Sequence, residues 1–286
     1  MQIYSYFCTV KQLEHITEPI ADEMAQFETC FDHTLQAETE PMNTIMRYVT
    51  DGKGKRLRPL LVLLSAKLFG EVNEQTLRAA TFVEMLHTAT LIHDDVVDDS
   101  DQRRGRASVK ARFGNLSAVL TGDYLLAKAM LLLSNPKDTD ILNEILRTAA
   151  AMSEGELMQA VGLSYYGSRN DAKPQMRLPR CDSPTDQYLE IITRKTALLM
   201  RSCCTAGAMS VGAAPEQLQH IADFGLHFGI LFQLRDDMLD GENTEQAQML
   251  LPEYLQKTRE ALKPFPASDT LEALTELTLF CAERNS

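Results

Sequence analysis

The sequence is poor in several residue types and patterns, and each shortage narrows the class of protein. Its 286 residues include no Trp and only 14 Gly, and long alternating Val, Ile and Thr runs are missing, so little strand is expected. No apolar run approaches the ~20 residues of a membrane span, and the first twenty residues do not resemble a signal peptide. The six cysteines show no paired metal-ligand spacing, and we interpret them as reduced thiols. We therefore predict a soluble, cytoplasmic protein.

The charge and the abundant residues narrow the class further. A formal net charge of −12 argues against nucleic-acid binding, and it means that an anionic substrate must be met by local bases or by metal. Frequent Leu, Ala and Met favour helices. We predict one all-α domain over residues 1–286, a helical bundle around a central cavity, with an irregular loop near 164–184 where prolines cluster.

An acidic cluster ends the apolar helix predicted over 74–99. Asp94 and Asp98 lie four residues apart on one helix face, with Asp95 beside them. Carboxylates at a helix C-terminus are unfavourable unless a cation neutralises them, and carboxylates suit Mg²⁺, which completes its shell with water and substrate phosphates. Arg103 and Arg104 follow and would suit phosphate oxygens. A single such run is more often a solvated helix end.

The same pattern recurs at Asp236, Asp237 and Asp240, again at the end of an apolar helix. Gln233 precedes these residues on the same helix face. Two Asp-Asp-x-x-Asp clusters that face each other across a cavity would bracket a diphosphate through bridging Mg²⁺. A solvated helix end does not account for this recurrence.

Three other polar groups each have a structural and a functional interpretation. The turn Gly54–Pro59 is strongly basic but lacks the Walker spacing, so it is either a solvated turn or a phosphate contact. His87 lies two helical turns before Asp94, and it is either a structural histidine or a ligand-facing one. Lys195 and Thr196 lie in an apolar helical stretch, where a lysine either snorkels to water or places its charge on a leaving phosphate.

In this order, the motifs resemble those of the trans-isoprenyl diphosphate synthases of the polyprenyl synthetase family, long-chain type. The resemblance runs from about Ile16 to Asp240 and is weaker at the C-terminus. It implies the isoprenoid synthase fold and a homodimer. The segments that carry it are Gly54–Pro59, Glu84–Asp98, Arg103–Gly105, Thr121–Leu126, Ser153–Glu156, Lys195–Ala197 and Phe232–Asp240.

The resemblance also implies an activity and the residues that perform it. Such enzymes are prenyltransferases that condense isopentenyl diphosphate with an allylic prenyl diphosphate and release diphosphate. Mg²⁺ would be held by the positions that match Asp94, Asp95 and Asp98 on one wall and Asp236, Asp237 and Asp240 on the other. The allylic substrate would contact the catalytic positions Arg103, Lys195, Thr196 and Gln233. The diphosphate of isopentenyl diphosphate would contact Lys55, Arg58, His87 and Arg104.

Product length is predicted from sterics at the floor of the cavity. Ala89 and Thr90 lie five and four residues before Asp94, one helical turn deeper. A Phe or Tyr there would close the floor after a few isoprene units, whereas Ala and Thr leave it open. An open floor lets the chain grow on between helices, and the family resemblance then implies an all-trans product of C25 or longer.

The resemblance weakens after Asp240, where the family usually has a lid with Gly and Lys. Gly241–Glu245 contains no Lys, and only 46 residues follow Asp240, so this region is shortened. The missing lysines keep open a second hypothesis, a weakly active or regulatory subunit of a heteromeric prenyl synthase. The third is a terpene cyclase. The basic turn and Arg104 argue against it, because a cyclase has no second diphosphate to bind.

Overall fold

The structure is a computed structural model that describes residues 15–52, 54–167 and 183–284, with the side chains of 161–167 left aside. The described chain is an assembly of helices, as predicted. In chain order the helices are α1 (Ala21–Leu35), α2 (Glu40–Thr50), α3 (Leu57–Lys67), α4 (Glu74–Val97), α5 (Val109–Phe113), α6 (Asn115–Leu132), α7 (Thr139–Gly167), α8 (Pro184–Ile192), α9 (Leu198–Ser210), α10 (Pro215–Asp240), α11 (Thr244–Leu262) and α12 (Asp269–Glu283).

Helix α4 is the central element of the bundle. It starts at a capping box, in which the Asn73 side chain accepts hydrogen bonds from the backbone of Gln75 and Thr76 and the Thr76 hydroxyl accepts one from the Asn73 backbone. Residues 79–86 are all buried, because α4 packs against α3, α6 and α9 on different sides. The helix therefore carries its C-terminal carboxylates on a rigid support.

The core is filled by large apolar side chains and by close backbone contacts. Phe27, Phe82, Phe224 and Phe228 are almost completely buried, and each stabilises the fold by about 2–3 kcal/mol relative to exposure. Gly207 of α9 lies against α3 so closely that a Cβ there would be 2.1 Å from the Val62 carbonyl oxygen. This contact keeps α9 and the segment before it close to the cavity.

Several predicted boundaries shift in the structure. Helix α7 continues to Gly167, so the first residues of the loop predicted near 164–184 are helical, and residues 168–182 lie outside the described residues. Pro184 opens α8 instead of closing that loop, because proline suits the first helical turn and Ser183 caps it. The apolar helical stretch that carries Lys195 and Thr196 contains a π-helical turn, Thr193–Ala197, between α8 and α9.

Strand is confined, among the described residues, to one antiparallel hairpin, β1 (Gln102–Arg103) and β2 (Arg106–Ala107). After α10, only residues 241–243 precede α11, and Gly241 adopts the left-handed conformation that this turn requires. In the part of the chain described, no single helix is long and apolar enough to cross a membrane. Helices α6 and α7 meet such a test only jointly, as a pair bent by 101°.

Candidate active site

A cavity of about 1010 Å³ opens between the C-terminal half of α4 and the end of α10. Its wall is completed by the turn before α3, the β1–β2 hairpin, α7 and the π-helical turn. The fold brings together residues that are up to 182 positions apart in the chain. The predicted site residues that line it are Lys55, Arg58, His87, Thr90, Asp94, Arg103, Arg104, Lys195, Thr196, Gln233 and Asp236.

Asp94 presents a carboxylate whose environment favours its neutral form. Burial raises the pKa of Asp94 to about 6, and the charge of Glu156 across the cavity raises it further, whereas Lys195 opposes the shift. The carboxylate has no hydrogen-bond or ion-pair partner among the residues that the structure describes. A bound cation would relieve this desolvated charge, as expected of a metal ligand.

Asp95, the neighbour of Asp94, is buried and paired with an arginine. It is 3% exposed, and its Oδ1 accepts hydrogen bonds from Arg103 Nε at 2.9 Å and Nη2 at 2.6 Å. It does not line the cavity, because successive helix residues point about 100° apart. Asp95 therefore holds Arg103 at the cavity wall, while Asp98 caps α4 in an exposed position.

The second aspartate of the α10 cluster is also buried and bonded. Asp237 is 7% exposed. It accepts hydrogen bonds from the Tyr188 hydroxyl at 2.5 Å and from Gln233 Nε2 at 2.7 Å, and Thr196 Oγ1 donates to Gln233 Oε1 at 2.7 Å. Burial raises the pKa of Tyr188, and the carboxylate of Asp237 raises it further. These hydrogen bonds connect α8, the π-helical turn and α10. Asp240, at the end of α10, is exposed.

Arg284 lies at the C-terminal end of the described chain and was not predicted. Its Nη2 donates to Asp236 Oδ1, and its guanidinium lies 4.3 Å from the centre of the Phe232 ring. Arg235 Nε donates to the Arg284 carbonyl oxygen at 2.8 Å, which fixes the end of α12. Burial raises the pKa of Asp236, and the charge of Arg284 opposes that shift. A cation that follows α12 therefore neutralises part of the charge on Asp236.

Lys195 is held by two further residues that sequence reasoning did not select. Lys195 Nζ donates to Gln159 Oε1 at 2.7 Å and pairs with Glu156 Oε2 at 2.7 Å. Gly155 lets the π-helical turn approach α7, since a Cβ there would lie 2.6 Å from Arg194 Cβ. The segment Ser153–Glu156, noted in the sequence as part of the resemblance, was the signal for Glu156.

The opposite end of the cavity is basic. Arg58 Nε is buried and has no hydrogen-bond partner in the ranges described, and Arg104 Nη1 donates to the Gly52 carbonyl oxygen at 3.2 Å. Burial lowers the pKa of His87 well below its ordinary value, and the charges of Arg58, Arg104 and Arg103 lower it further. His87 is therefore a neutral imidazole among cations, which suits a hydrogen bond to an anion.

The two predicted floor residues separate in the structure. Thr90 lines the cavity and its hydroxyl donates to the His87 carbonyl oxygen at 2.9 Å. Ala89 is fully buried in the core and is not part of the cavity wall. The reason is again helix geometry, because adjacent residues point in different directions.

The carboxylates at the cavity suit Mg²⁺ better than they suit a metal that is coordinated by protein side chains alone. No three His, Cys, Asp or Glu side chains converge as a preformed metal site in the described ranges. Mg²⁺ usually binds through one or two carboxylates and completes its shell with water and substrate phosphates. Asp94 and Asp236 on facing walls match that requirement.

A helical fold with two aspartate clusters and a basic pocket around one cavity defines a class of proteins that bind diphosphates. The chain belongs to the polyprenyl synthetase family, whose model matches residues 39–249. It is 32% identical over 228 residues to octaprenyl diphosphate synthase of Escherichia coli, covering 80% of this chain and 66% of that protein. It is 36% identical over 231 residues to heptaprenyl diphosphate synthase component 2 of Geobacillus stearothermophilus, covering 79% and 66%.

A solved structure extends the similarity to the C-terminal helices. A polyprenyl synthase of Caulobacter crescentus, complexed with calcium and isoprenyl diphosphate, has a TM-score of 0.82 to this chain at 28% identity. The match covers 96% of this chain and 98% of that chain. The predicted fold class, the isoprenoid synthase fold, is confirmed. The curated relatives, in contrast, extend well beyond the matched region, since this chain spans just under two thirds of their length.

Proposed function

We propose that the protein is a prenyltransferase that condenses isopentenyl diphosphate with an allylic prenyl diphosphate. The product is an all-trans polyprenyl diphosphate of C25 or longer, and diphosphate is released. The observation that carries this proposal is the shared cavity, which has carboxylates on two facing walls and a separate basic end. One diphosphate fits between Asp94 and Asp236, and a second fits at Arg58, His87 and Arg104.

Different residues would bind the metal and the allylic diphosphate. Asp94 on one wall and Asp236 on the other would hold Mg²⁺, together with Asp98 and Asp240, which are exposed at the ends of the same two helices. When bound, Mg²⁺ supplies Lewis-acid stabilisation of the departing diphosphate. The catalytic positions Arg103, Lys195, Thr196 and Gln233 would contact the same allylic diphosphate.

The carbon chemistry follows from this placement. The allylic C–O bond breaks as its electron pair leaves with the diphosphate. The double bond of isopentenyl diphosphate, positioned by Lys55, Arg58, His87 and Arg104, then forms the new C–C bond. A proton leaves the coupled product and is taken up by the released diphosphate. Apolar wall residues such as Leu157 and Phe232 exclude water from the cation.

Long product length is supported by Thr90 and by the relatives, which are named octaprenyl and heptaprenyl synthases. Because Thr90 lines the cavity and Ala89 does not, the steric argument now depends on Thr90. We expect Thr90→Phe to shorten the product by several isoprene units, with chain length read by thin-layer chromatography of the dephosphorylated alcohols. An unchanged product length in this variant would refute the floor argument.

A homodimer is supported by an apolar face on α6. Leu116, Val119, Leu120 and Leu131 follow helical spacing and are exposed, Leu116 by 75%. A stripe of this kind is unusual on a monomer surface and suits a second copy of the chain. Light scattering tests the assembly, and a monomer at micromolar concentration would contradict it. A cytoplasmic location stays a prediction from the sequence.

The second candidate is a subunit of a heteromeric prenyl synthase. It is favoured by the likeness to a protein named component 2 of heptaprenyl diphosphate synthase and by the short connection at 241–243. One experiment separates the two candidates. Homogeneous protein is assayed with farnesyl diphosphate, radiolabelled isopentenyl diphosphate and Mg²⁺. Labelled prenyl product supports the synthase, and its absence supports the subunit. Turnover without isopentenyl diphosphate would instead indicate a terpene cyclase.

A further inference from the structure

Arg56 lies between two residues that we assign to diphosphate binding, Lys55 and Arg58, yet its own guanidinium is committed to protein partners. Nε and Nη2 donate to the two carboxylate oxygens of Glu28 at 2.9 and 3.2 Å, and Nη1 donates to Glu84 Oε1 at 2.8 Å. The guanidinium also lies 4.5 Å from the centre of the Phe31 ring. Its side chain is 13% exposed. Three of its five N–H groups are thus committed to protein carboxylates, although Arg56 itself lines the cavity.

The backbone at Arg56 is in the left-handed region, with φ 51° and ψ 32°. For a residue other than glycine this conformation costs about 1 kcal/mol. It persists because the surrounding ion pairs fix the side chain. Since Arg56 is the residue just before α3, its conformation sets how the basic turn enters the helix that carries Arg58.

Glu84 connects Arg56 to the basic end of the cavity. Its side chain is 7% exposed, it lies on α4 three residues before His87, and it lines the cavity together with Arg58. Burial lowers the pKa of Arg58, and the charge of Glu84 is the main influence that opposes the shift. A buried carboxylate without a partner is costly, so Glu84 would pair with Arg58 if Arg56 were absent.

We propose that Arg56 is a positioning residue that neutralises Glu84 and thereby leaves Arg58 available to the diphosphate of isopentenyl diphosphate. This inference rests on the proposed function, which assigns Arg58 to that substrate. It agrees with the buried Arg58 Nε, which has no partner among the described residues. Glu28 anchors the other side of the same guanidinium to α1.

The proposal differs from a purely structural ion pair in one measurable way. If Arg56 only stabilised the fold, Arg56→Gln would impair the use of both substrates alike, and removing Glu84 as well would restore stability without changing the ratio of the two KM values. If Arg56 keeps Glu84 away from Arg58, then removing the Glu84 charge restores substrate binding. The test is therefore a double-mutant cycle with Arg56→Gln, Glu84→Gln and the combined variant.

Initial rates are measured against each substrate in turn. We expect Arg56→Gln to raise KM for isopentenyl diphosphate at least tenfold, with KM for the allylic substrate changed less than about twofold. The combined variant should return KM for isopentenyl diphosphate to within about threefold of the parent. Arg78→Gln is the matched control, because Arg78 forms a bidentate pair with buried Asp138 at the far end of α4. It should lower stability and leave the ratio of the two KM values unchanged.

Two outcomes overturn the proposal: an equal rise of both KM values in Arg56→Gln, or a combined variant no better than that single variant. Calorimetric binding of inorganic diphosphate to the full chain provides a readout that needs no turnover. Weaker binding in Arg56→Gln and recovery in the combined variant would support the proposal even if no prenyl product forms, a result that refutes only the proposed function. If Arg56→Gln does not fold, Arg56→Lys tests the charge directly. Lys can still neutralise Glu84, so KM for isopentenyl diphosphate should stay within about threefold of the parent, and a tenfold rise would overturn the proposal.

Discussion

The two aspartate clusters have the same sequence pattern, but they differ in their partners. In each cluster the first aspartate lines the cavity, the second is buried and bonded, and the last is exposed near the helix end. The second aspartate of α4 binds a cation, Arg103, whereas that of α10 binds neutral Tyr188 and Gln233. The first aspartates differ even more. Asp236 already has the guanidinium of Arg284, and Asp94 has no such partner among the described residues.

The position of an aspartate within the motif decides whether its side chain points into the cavity, while residues elsewhere in the chain decide how far its charge is neutralised. The rotation of about 100° per residue separates a cavity-facing aspartate from a buried one in both helices. The net charge at each wall then depends on elements far away in sequence. We therefore expect the α4 wall to bind a divalent metal readily and the α10 wall to bind it in competition with Arg284.

The largest expected effect is on turnover. Asp94→Asn should lower kcat about 1,000-fold, because the departing diphosphate loses one of its metal ligands. Asp236→Asn tests whether the two walls contribute equally, and a similar loss is expected. Steady-state product formation measures both. Asp223→Asn on α10, at a position that does not line the cavity, is the control and should retain parent activity. Full activity in Asp94→Asn would contradict the site.

Tyr188→Phe isolates the neutral partner of the second cluster. The change removes one hydrogen bond to a buried carboxylate, which is typically worth about 2 kcal/mol. We expect the free energy of unfolding to fall by about that amount in urea titration, with a smaller reduction in kcat. Tyr124→Phe, a phenol for which the structure shows only a ring contact with Lys128, is the comparison. Equal stability of the two variants would mean that the Tyr188 contact contributes nothing.

Arg284→Gln tests the competition at the α10 wall. Loss of a partly exposed ion pair of about 1 kcal/mol corresponds to a metal affinity about fivefold higher. Mn²⁺ binding without substrate, followed by electron paramagnetic resonance, measures it. The gain should disappear in the combined variant with Asp236→Asn. Unchanged Mn²⁺ affinity in Arg284→Gln would show that the guanidinium does not compete.

The smallest expected effect concerns pH and the stability of the metal-free protein. The pKa of Asp94 is about 6 in the folded protein and 3.8 as a reference, so the folded state binds its proton more tightly. Through this group the free energy of unfolding falls as pH rises from about 4 to 6 and stays low above that. After allowance for partial solvent exposure the loss is about 1 kcal/mol.

Asp94→Asn should therefore be more stable than the parent by about 1 kcal/mol at pH 8 and equally stable below pH 4. Urea titrations at the two pH values, with chelator present, measure the difference. A variant less stable than its parent at pH 8 would contradict the direction of the pKa shift. Such a result would mean that the Asp94 carboxylate is not desolvated, and desolvation is the property that we associate with metal binding at this residue.

Much of the site was readable in the sequence because its chemistry depends on short, regular spacing. The pairs Asp94 with His87 and Asp236 with Gln233 share a helix face by periodicity alone, and both line the cavity. The environment of the neighbouring residues was not readable from this spacing. Asp95, Asp237 and Ala89 belong to the predicted sets, but each is buried. Neighbouring helices decide which side of a core helix faces a cavity. Because α4 is packed on several sides, its sequence does not show which of its side chains are covered.

The sequence by itself determined the helical class, the two carboxylate clusters and the basic turn, because composition and helical periodicity are local properties. Tertiary structure alone decided the partners. Arg284 reaches Asp236, Glu84 and Glu28 converge on Arg56, and Glu156 faces Asp94 and Lys195. These contacts join residues 28 to 62 positions apart, and no local pattern specifies them. They arise where helices that are distant in sequence pack around one cavity, and that packing decides which charges lie at each wall.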